Sequence, residues 1–321
     1  MSRNLLELDL TSYLRSAADL ALPRVCVVCG RTLNLGERHI CLCCGADLPL
    51  THFSRLSHNP MALAYNAAIA ADATQEDSVT ERENVAGKRE DSMAVREDDA
   101  GGRSSGWEPF QYATALYHYV GDYSKISRAL KYRHDFGAGR HFARMLGREL
   151  AASNLFADVD LVTCVPLHFT RRLSRGHNQA EVIAKEVWRE MRRGGTRASG
   201  DGRAAKGSCE DVSEPLRQSP DNGLLFDPRL LSRVRRTASQ ARLSPGAKAR
   251  NVRGAFRVRP SALWQDKKRM CHELRHILVL DDVFTTGSTL AACHDALREV
   301  LGPEVRISVA TLAFAGGENT I

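Results

Sequence analysis

Residues 277–289 place the strongest constraint on the fold, because they read Ile-Leu-Val-Leu-Asp-Asp-Val-Phe-Thr-Thr-Gly-Ser-Thr. The opening apolar run predicts a buried strand, and residues 289–301 have the apolar spacing of a helix. A short turn must lead from that strand into that helix. Such a turn is typical of α/β proteins, and it lies where the backbone amides of a helix N-terminus bind anions.

The turn has the chemistry of a phosphate site. Gly287 allows the backbone to approach a ligand closely, and four neighbouring hydroxyl groups add hydrogen-bond donors. These hydroxyls belong to Thr285, Thr286, Ser288 and Thr289. The alternative is that a Ser or Thr hydroxyl only caps the helix.

Asp281 and Asp282 directly precede the turn. Because carboxylates repel a phosphate, this pair is expected to contact another part of the ligand. The hydroxyls of a ribose would donate hydrogen bonds to the two aspartates, whose negative charge would stabilise an oxocarbenium ion. We therefore expect a phosphorylated ribose as ligand and both aspartates as catalytic residues. A preference of acids for helix starts is the simpler alternative, but it leaves the adjacent pair unexplained.

The whole segment resembles the signature of the type I phosphoribosyltransferases, which bind 5-phosphoribosyl-1-pyrophosphate (PRPP). The resemblance implies that residues 285–289 hold the 5′-phosphate, that the aspartates bind the ribose hydroxyls, and that Mg²⁺ accompanies the pyrophosphate. Other nucleotide motifs do not fit. No Gly-x-x-x-x-Gly-Lys-Ser/Thr occurs, and residues 137–139 lack the third glycine of a dinucleotide fingerprint. We interpret residues 137–139 as a turn before a helix at 141–150.

A second candidate site follows the predicted strand 160–165. The loop 167–179 contains Arg171, Arg172 and Arg175, whose guanidinium groups suit a pyrophosphate. Its position after a strand matches that of the phosphate turn, so it is expected to bind the leaving group. A solvated basic loop with Asn178 capping a helix explains the same residues equally well.

A third basic stretch covers residues 231–256 and contains Ser-Pro-Gly at 244–246. We expect it to be mobile and to close over a bound substrate, with Arg236 and Arg250 stabilising the pyrophosphate charge as catalytic residues. The alternative is a nucleic-acid-binding patch, because clustered arginines also neutralise backbone phosphates.

Five of the nine cysteines lie in residues 26–44, where two Cys-x-x-Cys pairs are each followed by glycine. Paired spacing of this kind predicts a closed structural zinc site rather than a catalytic one. The predicted ligands are Cys26, Cys29, Cys41 and Cys44, which leaves Cys43 outside the set. A redox Cys-x-x-Cys is the alternative, but that motif occurs singly beside a βαβ unit.

Composition divides the chain into segments. We expect an N-terminal amphipathic segment at 1–22, a zinc domain at 23–55, a disordered acidic insert at 66–108 and a catalytic domain at 110–321. A second disordered insert is expected at 194–222. The net charge is +7; neither a transmembrane run nor a secretion signal is recognisable, which predicts a cytoplasmic protein with free thiols.

Alternating strands and helices in the catalytic domain predict a mostly parallel α/β sheet flanked by helices, with its ligand at the carboxyl ends of the strands. The predicted strands are 113–120, 160–165, one near 224–225, 255–259, 277–280 and 305–312. The predicted helices are 123–131, 141–153, 177–193 and 289–301.

From about residue 20 to 314, the order of motifs is similar to that of the ComF family, phosphoribosyltransferase-like proteins associated with DNA uptake. The motifs are Cys-Val-Val-Cys-Gly, Cys-Leu-Cys-Cys, Ala-Leu-Lys-Tyr-Arg, Arg-Gly-His-Asn-Gln, Arg-Thr-x-x-Gln, Arg-Asn-Val-x-Gly-Ala-Phe and the Asp-Asp run. The two inserts have no counterpart in the family, and His177 replaces its usual aromatic residue. The resemblance implies a type I phosphoribosyltransferase fold and adds Lys131 as a contact near PRPP.

Three functions follow as hypotheses. The first is Mg²⁺-dependent transfer of the phosphoribosyl group to an unidentified acceptor, such as a nucleobase or nucleotide, in DNA uptake or nucleotide salvage. The second is regulation through PRPP or nucleotide binding without turnover. The third is single-stranded DNA handling by the zinc domain and the basic stretch, in contact with the DNA-uptake machinery. The sequence does not predict an oligomeric state.

Overall fold

The computed structural model describes residues 24–71, 109–132, 136–167, 178–195, 223–235, 254–259 and 274–316. Its main sheet has five strands, all parallel, in the order β1-β7-β6-β2-β3. These are β1 (Ala113–His118), β2 (Leu161–Cys164), β3 (Leu225–Phe226), β6 (His276–Phe284) and β7 (Arg306–Phe314). A separate antiparallel hairpin joins β4 (Leu231–Arg233) to β5 (Phe256–Val258).

Helices cover both faces of the sheet. In the described residues they are α1 (Leu42–Ala46), α2 (60–71), α3 (Ser124–Tyr132), α4 (Phe136–Ala151), α5 (Gln179–Gly195) and α6 (Ser288–Leu301). The side chains of α4 and α5 share one core cluster with the cysteine-rich segment. Those of α2, α6 and the hairpin share the other.

Strand residues alternate between the two cores, as the pleat of a sheet requires. On β6, Leu278 and Leu280 belong to the α4–α5 side, whereas Ile277 and Val279 belong to the α6 side. All four are fully buried. A strand covered on both faces reads as a continuous apolar run, which is why the sequence predicted it.

The structure confirms the expected α/β fold with a four-cysteine cluster near the N-terminus. One expectation is wrong. Residues 137–139 are not a turn but part of α4, and a Cβ on Gly139 would overlap the side chain of Leu130 on α3. The glycine is required there because α3 and α4 pack closely, not because the backbone turns.

Several helix and strand ends differ from expectation by a few residues, and three segment boundaries differ as well. Residues 66–71 are the last part of α2, although the sequence placed them in the acidic insert. The mobile basic stretch was expected from residue 231, but its first three residues form β4. Helix α5 includes residues 194–195 of the second insert. Residues 1–23, 72–108 and 196–222 lie outside the described part of the chain, so the N-terminal segment and both inserts stay predictions.

Candidate functional site

A cavity of about 370 Å³ lies at the carboxyl edge of the sheet. Residues at or just after the carboxyl ends of four strands line the cavity. They are Tyr119 after β1, Val165 after β2, Asp281 to Phe284 on β6, and Ala315 after β7. The start of α6 completes one wall. Ligands of open parallel sheets bind at this edge, so the cavity is where the sequence predicted it.

The turn from β6 into α6 depends on Gly287. Its φ of 77° lies in the left-handed region that glycine favours. A Cβ at this position would lie 2.9 Å from the Phe284 ring and 3.4 Å from the Cβ of Ala68 on α2. The turn is therefore fixed by its own backbone and by a helix from the other end of the sequence.

The N-cap position of α6 is occupied by Gly287, which makes no side-chain hydrogen bond to the first amides of the helix. Instead, the hydroxyls of Thr286 and Ser288 are hydrogen-bonded to each other at 2.9 Å. With glycine at the N-cap, the cap residue itself leaves the first backbone amides of α6 suited to an anion.

Asp281 and Asp282 both line the cavity and are partly buried. The backbone N–H of Asp282 donates to Oδ1 of Asp281 at 2.8 Å. Consecutive strand residues point to opposite faces of a sheet, so the pair reaches both sides of the sheet edge. The two carboxylates and the phosphate turn thus lie in one cavity, as the phosphorylated-ribose hypothesis requires.

Five of the predicted arginines lie outside the described residues: Arg171, Arg172, Arg175, Arg236 and Arg250. Lys131 lies on α3, but its side chain also lies outside the description. The described ends of the arginine loop, Leu167 and Asn178, both line the cavity. Asn178 caps α5, since its Oδ1 accepts from the amide of Ala180 at 3.2 Å, as the simpler reading of the loop expected.

The sequence analysis missed three residues that line the cavity: Tyr119, Gln179 and Arg233. Gln179 is 3% exposed, and its Nε2 has no hydrogen-bond partner among the described residues. The guanidinium of Arg233 lies 5.2 Å from the centre of the Phe256 ring across the hairpin. Gln179 ends the arginine loop and Arg233 lies near the start of the third basic stretch, so the sequence placed both in candidate segments without singling them out. Tyr119 belongs to neither segment nor to the turn, and only tertiary structure brings it to the site.

The four predicted metal ligands lie together. The Sγ atoms of Cys26, Cys29, Cys41 and Cys44 are all within 4.8 Å of one another. Those of Cys29 and Cys41 are 3.9 Å apart, close to the ~3.8 Å edge of a tetrahedron with metal–sulfur bonds of ~2.3 Å. Cys43 is exposed and outside the cluster. The donor set therefore fits a tetrahedral metal ion.

Backbone geometry supports this cluster. The amide of Cys41 donates to Sγ of Cys26, and that of Cys44 donates to Sγ of Cys41, both at 3.4 Å. Gly30 has the positive φ expected of the glycine after a Cys-x-x-Cys pair, whereas Gly45 lies within α1 without one. Amides directed at sulfur favour thiolates, which are the form that binds metal.

The thiols do not ionise alike. Burial would raise the pKa of Cys26, but hydrogen bonds from the amides of Cys29 and Cys41 contribute to lowering it to about 7. Burial and hydrogen bonds to the other thiols raise the pKa of Cys44. The negative charge of an ionised Cys26 therefore opposes ionisation of Cys44, and a bound cation would favour it.

In the part of the chain that the structure describes, no helix combines the length and apolar character needed to cross a bilayer.

Comparison with known proteins supports the resemblance to the ComF family. The chain is 25% identical over 186 residues to DNA utilization protein YhgH of Salmonella typhi, covering 57% of this chain and 64% of that protein. It is 24% identical over 193 residues to Competence protein F of Haemophilus influenzae, covering 59% and 68%. The chain thus spans less than two thirds of the Salmonella relative. No family model matches it.

Proposed function

We propose that this chain, a homologue of proteins named for competence and DNA utilization, binds PRPP at the cavity and transfers its phosphoribosyl group to an acceptor. The observation that carries the proposal is the shared cavity of two adjacent carboxylates and a helix N-terminus with glycine at its N-cap. The names of the relatives support a role linked to DNA uptake. Transfer of a phosphoribosyl group to a nucleobase would also serve nucleotide salvage.

The proposed chemistry follows from the positions of the residues. The amides at the start of α6 and the hydroxyls of residues 285–289 bind the 5′-phosphate. Asp281 and Asp282 accept hydrogen bonds from the ribose hydroxyls and stabilise positive charge at the ring. The bond from C1 to pyrophosphate breaks, a bond from C1 to an acceptor nitrogen forms, and the proton of that nitrogen passes to the departing pyrophosphate. Mg²⁺, when bound with PRPP, would neutralise charge on the pyrophosphate.

The remaining predicted residues complete this proposal. Arg171, Arg172 and Arg175 belong to a loop whose described ends line the cavity, which supports a role in holding pyrophosphate. The strand that ends at Arg233 precedes Arg236, and Arg250 lies shortly before β5, so both are proposed to act from the hairpin side. Lys131 on α3 is proposed as a further contact.

We assign zinc to the four-cysteine cluster as a structural metal, because all four tetrahedral positions are taken by protein ligands. None of the seven cysteines in the described residues forms a disulfide. Free thiols and a thiolate metal site suit a reducing compartment, which supports a cytoplasmic location.

Isothermal titration with PRPP and Mg²⁺ tests the binding proposal. We expect the wild-type protein to bind, and Asp281→Asn and Asp282→Asn each to weaken affinity at least ~tenfold, about 1.4 kcal/mol. Glu304→Gln is the matched control, because Glu304 is exposed and does not line the cavity. Absence of wild-type binding, or unchanged affinity in both aspartate variants, would reject the site.

A separate assay distinguishes an enzyme from a regulator. Nucleobases and nucleotides would be tested one at a time for release of pyrophosphate from PRPP. Transfer predicts release that depends on one acceptor and is lost in Asp282→Asn. Tight PRPP binding without release under any acceptor would instead support the regulatory alternative.

A further inference from the structure

Gln179 is the first residue of α5, and the transfer chemistry proposed above does not use it. Its side chain is 3% exposed, and the residue lines the cavity. Its Nε2 has no hydrogen-bond partner among the described residues. A buried amide donor without a partner destabilises the folded protein, so its position beside the cavity requires an explanation.

The preceding residue, Asn178, shows what a structural amide does at this place. Its Oδ1 accepts from the amide of Ala180 at 3.2 Å, and its Nδ2 donates to the carbonyl of Val165 at 3.1 Å. Both ends of that side chain therefore connect α5 to the end of β2. In the described part of the chain, the Nε2 of Gln179 makes no corresponding link, which leaves this donor available to a ligand.

Gln179 and the phosphate turn approach the cavity from opposite faces of the sheet. Helix α5 packs in the core cluster on one face, and α6 packs in the cluster on the other. Strand β6, which carries Asp281 and Asp282, pairs directly with β2, the strand before α5. A ribose held by these aspartates, with its 5′-phosphate at α6, would therefore direct C1 away from α6 and toward the start of α5.

We infer that Gln179 is a further substrate-binding residue, whose Nε2 donates a hydrogen bond to the diphosphate group on C1 of PRPP. This inference rests on the proposed function. The oxygens of a diphosphate accept hydrogen bonds and carry negative charge, so they match an unpaired donor and strengthen its hydrogen bond. The terminal torsion of a glutamine side chain is broad, which allows Nε2 to turn toward the ligand.

The N-terminus of α5 does not by itself make this wall an anion site. Glu181 lies in the first turn of the helix, where its carboxylate opposes a second negative charge. Asn178 already caps the same helix. The side-chain amide of Gln179, rather than the helix dipole, therefore supplies the donor.

A nucleobase is the rival ligand for this amide, because glutamine side chains also pair with the edges of bases. A base edge that presents a donor beside an acceptor would use both ends of the amide. The buried atom that lacks a partner here is the donor, Nε2. A ligand group made only of acceptors, such as a diphosphate, therefore fits this observation better.

Gln179→Met tests the inference, because methionine is also unbranched but has no hydrogen-bond donor. Gln111→Met is the matched control. Gln111 is 2% exposed and does not line the cavity, and both ends of its amide are bonded. Its Oε1 accepts from the amide of Ile307 at 2.6 Å, and its Nε2 donates to the carbonyl of Pro109. Thermal unfolding is measured without ligand, and isothermal titration is measured with PRPP and with ribose 5-phosphate, each with Mg²⁺.

Without ligand, Gln179→Met is expected to raise the melting temperature by about 2–4 °C, because it removes an unsatisfied buried donor. Gln111→Met is expected to lower the melting temperature, because it leaves the Ile307 amide without its acceptor. Gln179→Met should also weaken PRPP binding about tenfold, since a hydrogen bond to a charged group is lost. Its affinity for ribose 5-phosphate should equal that of the wild type, because this ligand has no diphosphate.

Unchanged PRPP affinity in Gln179→Met would overturn the inference and leave the proposed PRPP site intact. Equal weakening of PRPP and ribose 5-phosphate would also overturn it, since the substitution would then act on the ribose or the 5′-phosphate. A melting temperature that falls in Gln179→Met, as in Gln111→Met, would assign the amide a structural role instead. A wild-type protein that binds neither ligand would reject the proposed function, and the inference with it.

Discussion

At the scale of single residues, the phosphate turn shows how two constraints meet at one position. Gly287 has a left-handed backbone, and its missing side chain also leaves room for Phe284 and Ala68. The left-handed backbone is a requirement of the turn, whereas the space for Phe284 and Ala68 is a requirement of tertiary packing. Comparing Gly287 with Gly223 separates the two requirements.

Gly287→Ala is expected to lower the free energy of unfolding more than Gly223→Ala. Gly223 also has a positive φ, of 70°, but a Cβ there would contact nothing within 4 Å. Backbone strain alone would cost Gly223→Ala about 1–2 kcal/mol, and the clash adds to that in Gly287→Ala. Urea denaturation measures both costs. Equal losses in the free energy of unfolding for the two variants would mean that the Phe284 ring moves away from the new Cβ without cost.

A buried hydrogen-bonded chain at the opposite edge of the sheet predicts a pH effect. His276 is fully buried; its Nδ1 lies 2.7 Å from Oδ1 of Asp158, and its Nε2 lies 2.7 Å from Oγ of Ser308. The hydrogen bond to His276 holds the pKa of Asp158 below its ordinary value. Ionised Asp158 therefore stabilises the fold above its unfolded pKa of about 3.9, and this contribution is lost as the pH falls through the lower folded pKa.

Asp158→Asn should therefore destabilise the protein at pH 7, and the difference from wild type should shrink at a pH below ~4. Urea denaturation across this range measures the difference. Asp122→Asn is the control, since Asp122 forms only a surface pair with Lys125. A difference that grows on acidification would contradict this account of Asp158.

At the scale of elements, α2 connects the two ends of the sequence at the site. Asn59 precedes it and is 1% exposed. Its Oδ1 accepts from the amide of Ala62 at 2.9 Å. Its Nδ2 donates to the carbonyls of Phe53, Leu56 and Ala113 at 3.2, 2.9 and 2.8 Å. The Asn59 side chain therefore caps α2 and links it by a hydrogen bond to β1.

Asn59→Ala is expected to cost about 2–4 kcal/mol, the sum of a lost cap and unsatisfied buried carbonyls. Asn59→Asp keeps the cap acceptor but places a carboxylate against those carbonyls, so it should not restore stability. Thermal unfolding of both variants measures this. Because Ala68 contacts the phosphate turn, both should also reduce the melting shift caused by inorganic phosphate. Wild-type stability in Asn59→Asp would show that only the cap matters.

Long, periodic elements could be predicted from the sequence, but their ends could not. The apolar run of β6 and the helix spacing of α6 are local signals, so the position of the turn between them was predicted correctly. Asp281 and Asp282 have low strand propensity, yet β6 continues through them because Asp281 pairs with Thr311 on β7. Asn59-Pro60 is a typical helix start, but the acidic composition that follows obscured α2. Tyr119 reaches the cavity only through tertiary structure.

At the scale of the whole molecule, the cysteine-rich segment is attached to the sheet beside the cavity. Tyr123 donates to the carbonyl of Cys44 at 3.2 Å, and Lys125 donates to that of Val28 at 3.0 Å. Tyr119 on the cavity wall lies a few residues before this contact. The four-cysteine cluster therefore supports the segment that leads from β1 to α3.

Cys26→Ser is expected to lose the ~one zinc per chain that elemental analysis should find in the wild type. Hydrogen exchange should then increase in residues 24–46 and 119–123, whereas β6 and β7 keep their protection. Cys43→Ser is the matched control, because Cys43 lies outside the cluster and should retain the metal. Full metal content in Cys26→Ser would refute the four-cysteine assignment.

The order of strands also affects how the protein is made. Strand β7 lies between β1 and β6, and Tyr112 beside β1 is bonded to Ser308, 196 residues later. At ~5–20 residues per second, a ribosome needs on the order of 10 to 40 s to synthesise that interval. Until then, β1 lacks β7, the strand it pairs with in the sheet, and its unpaired edge can attract other nascent chains. A chaperone that shields β1 during synthesis would therefore improve the yield of folded protein more than one added after release.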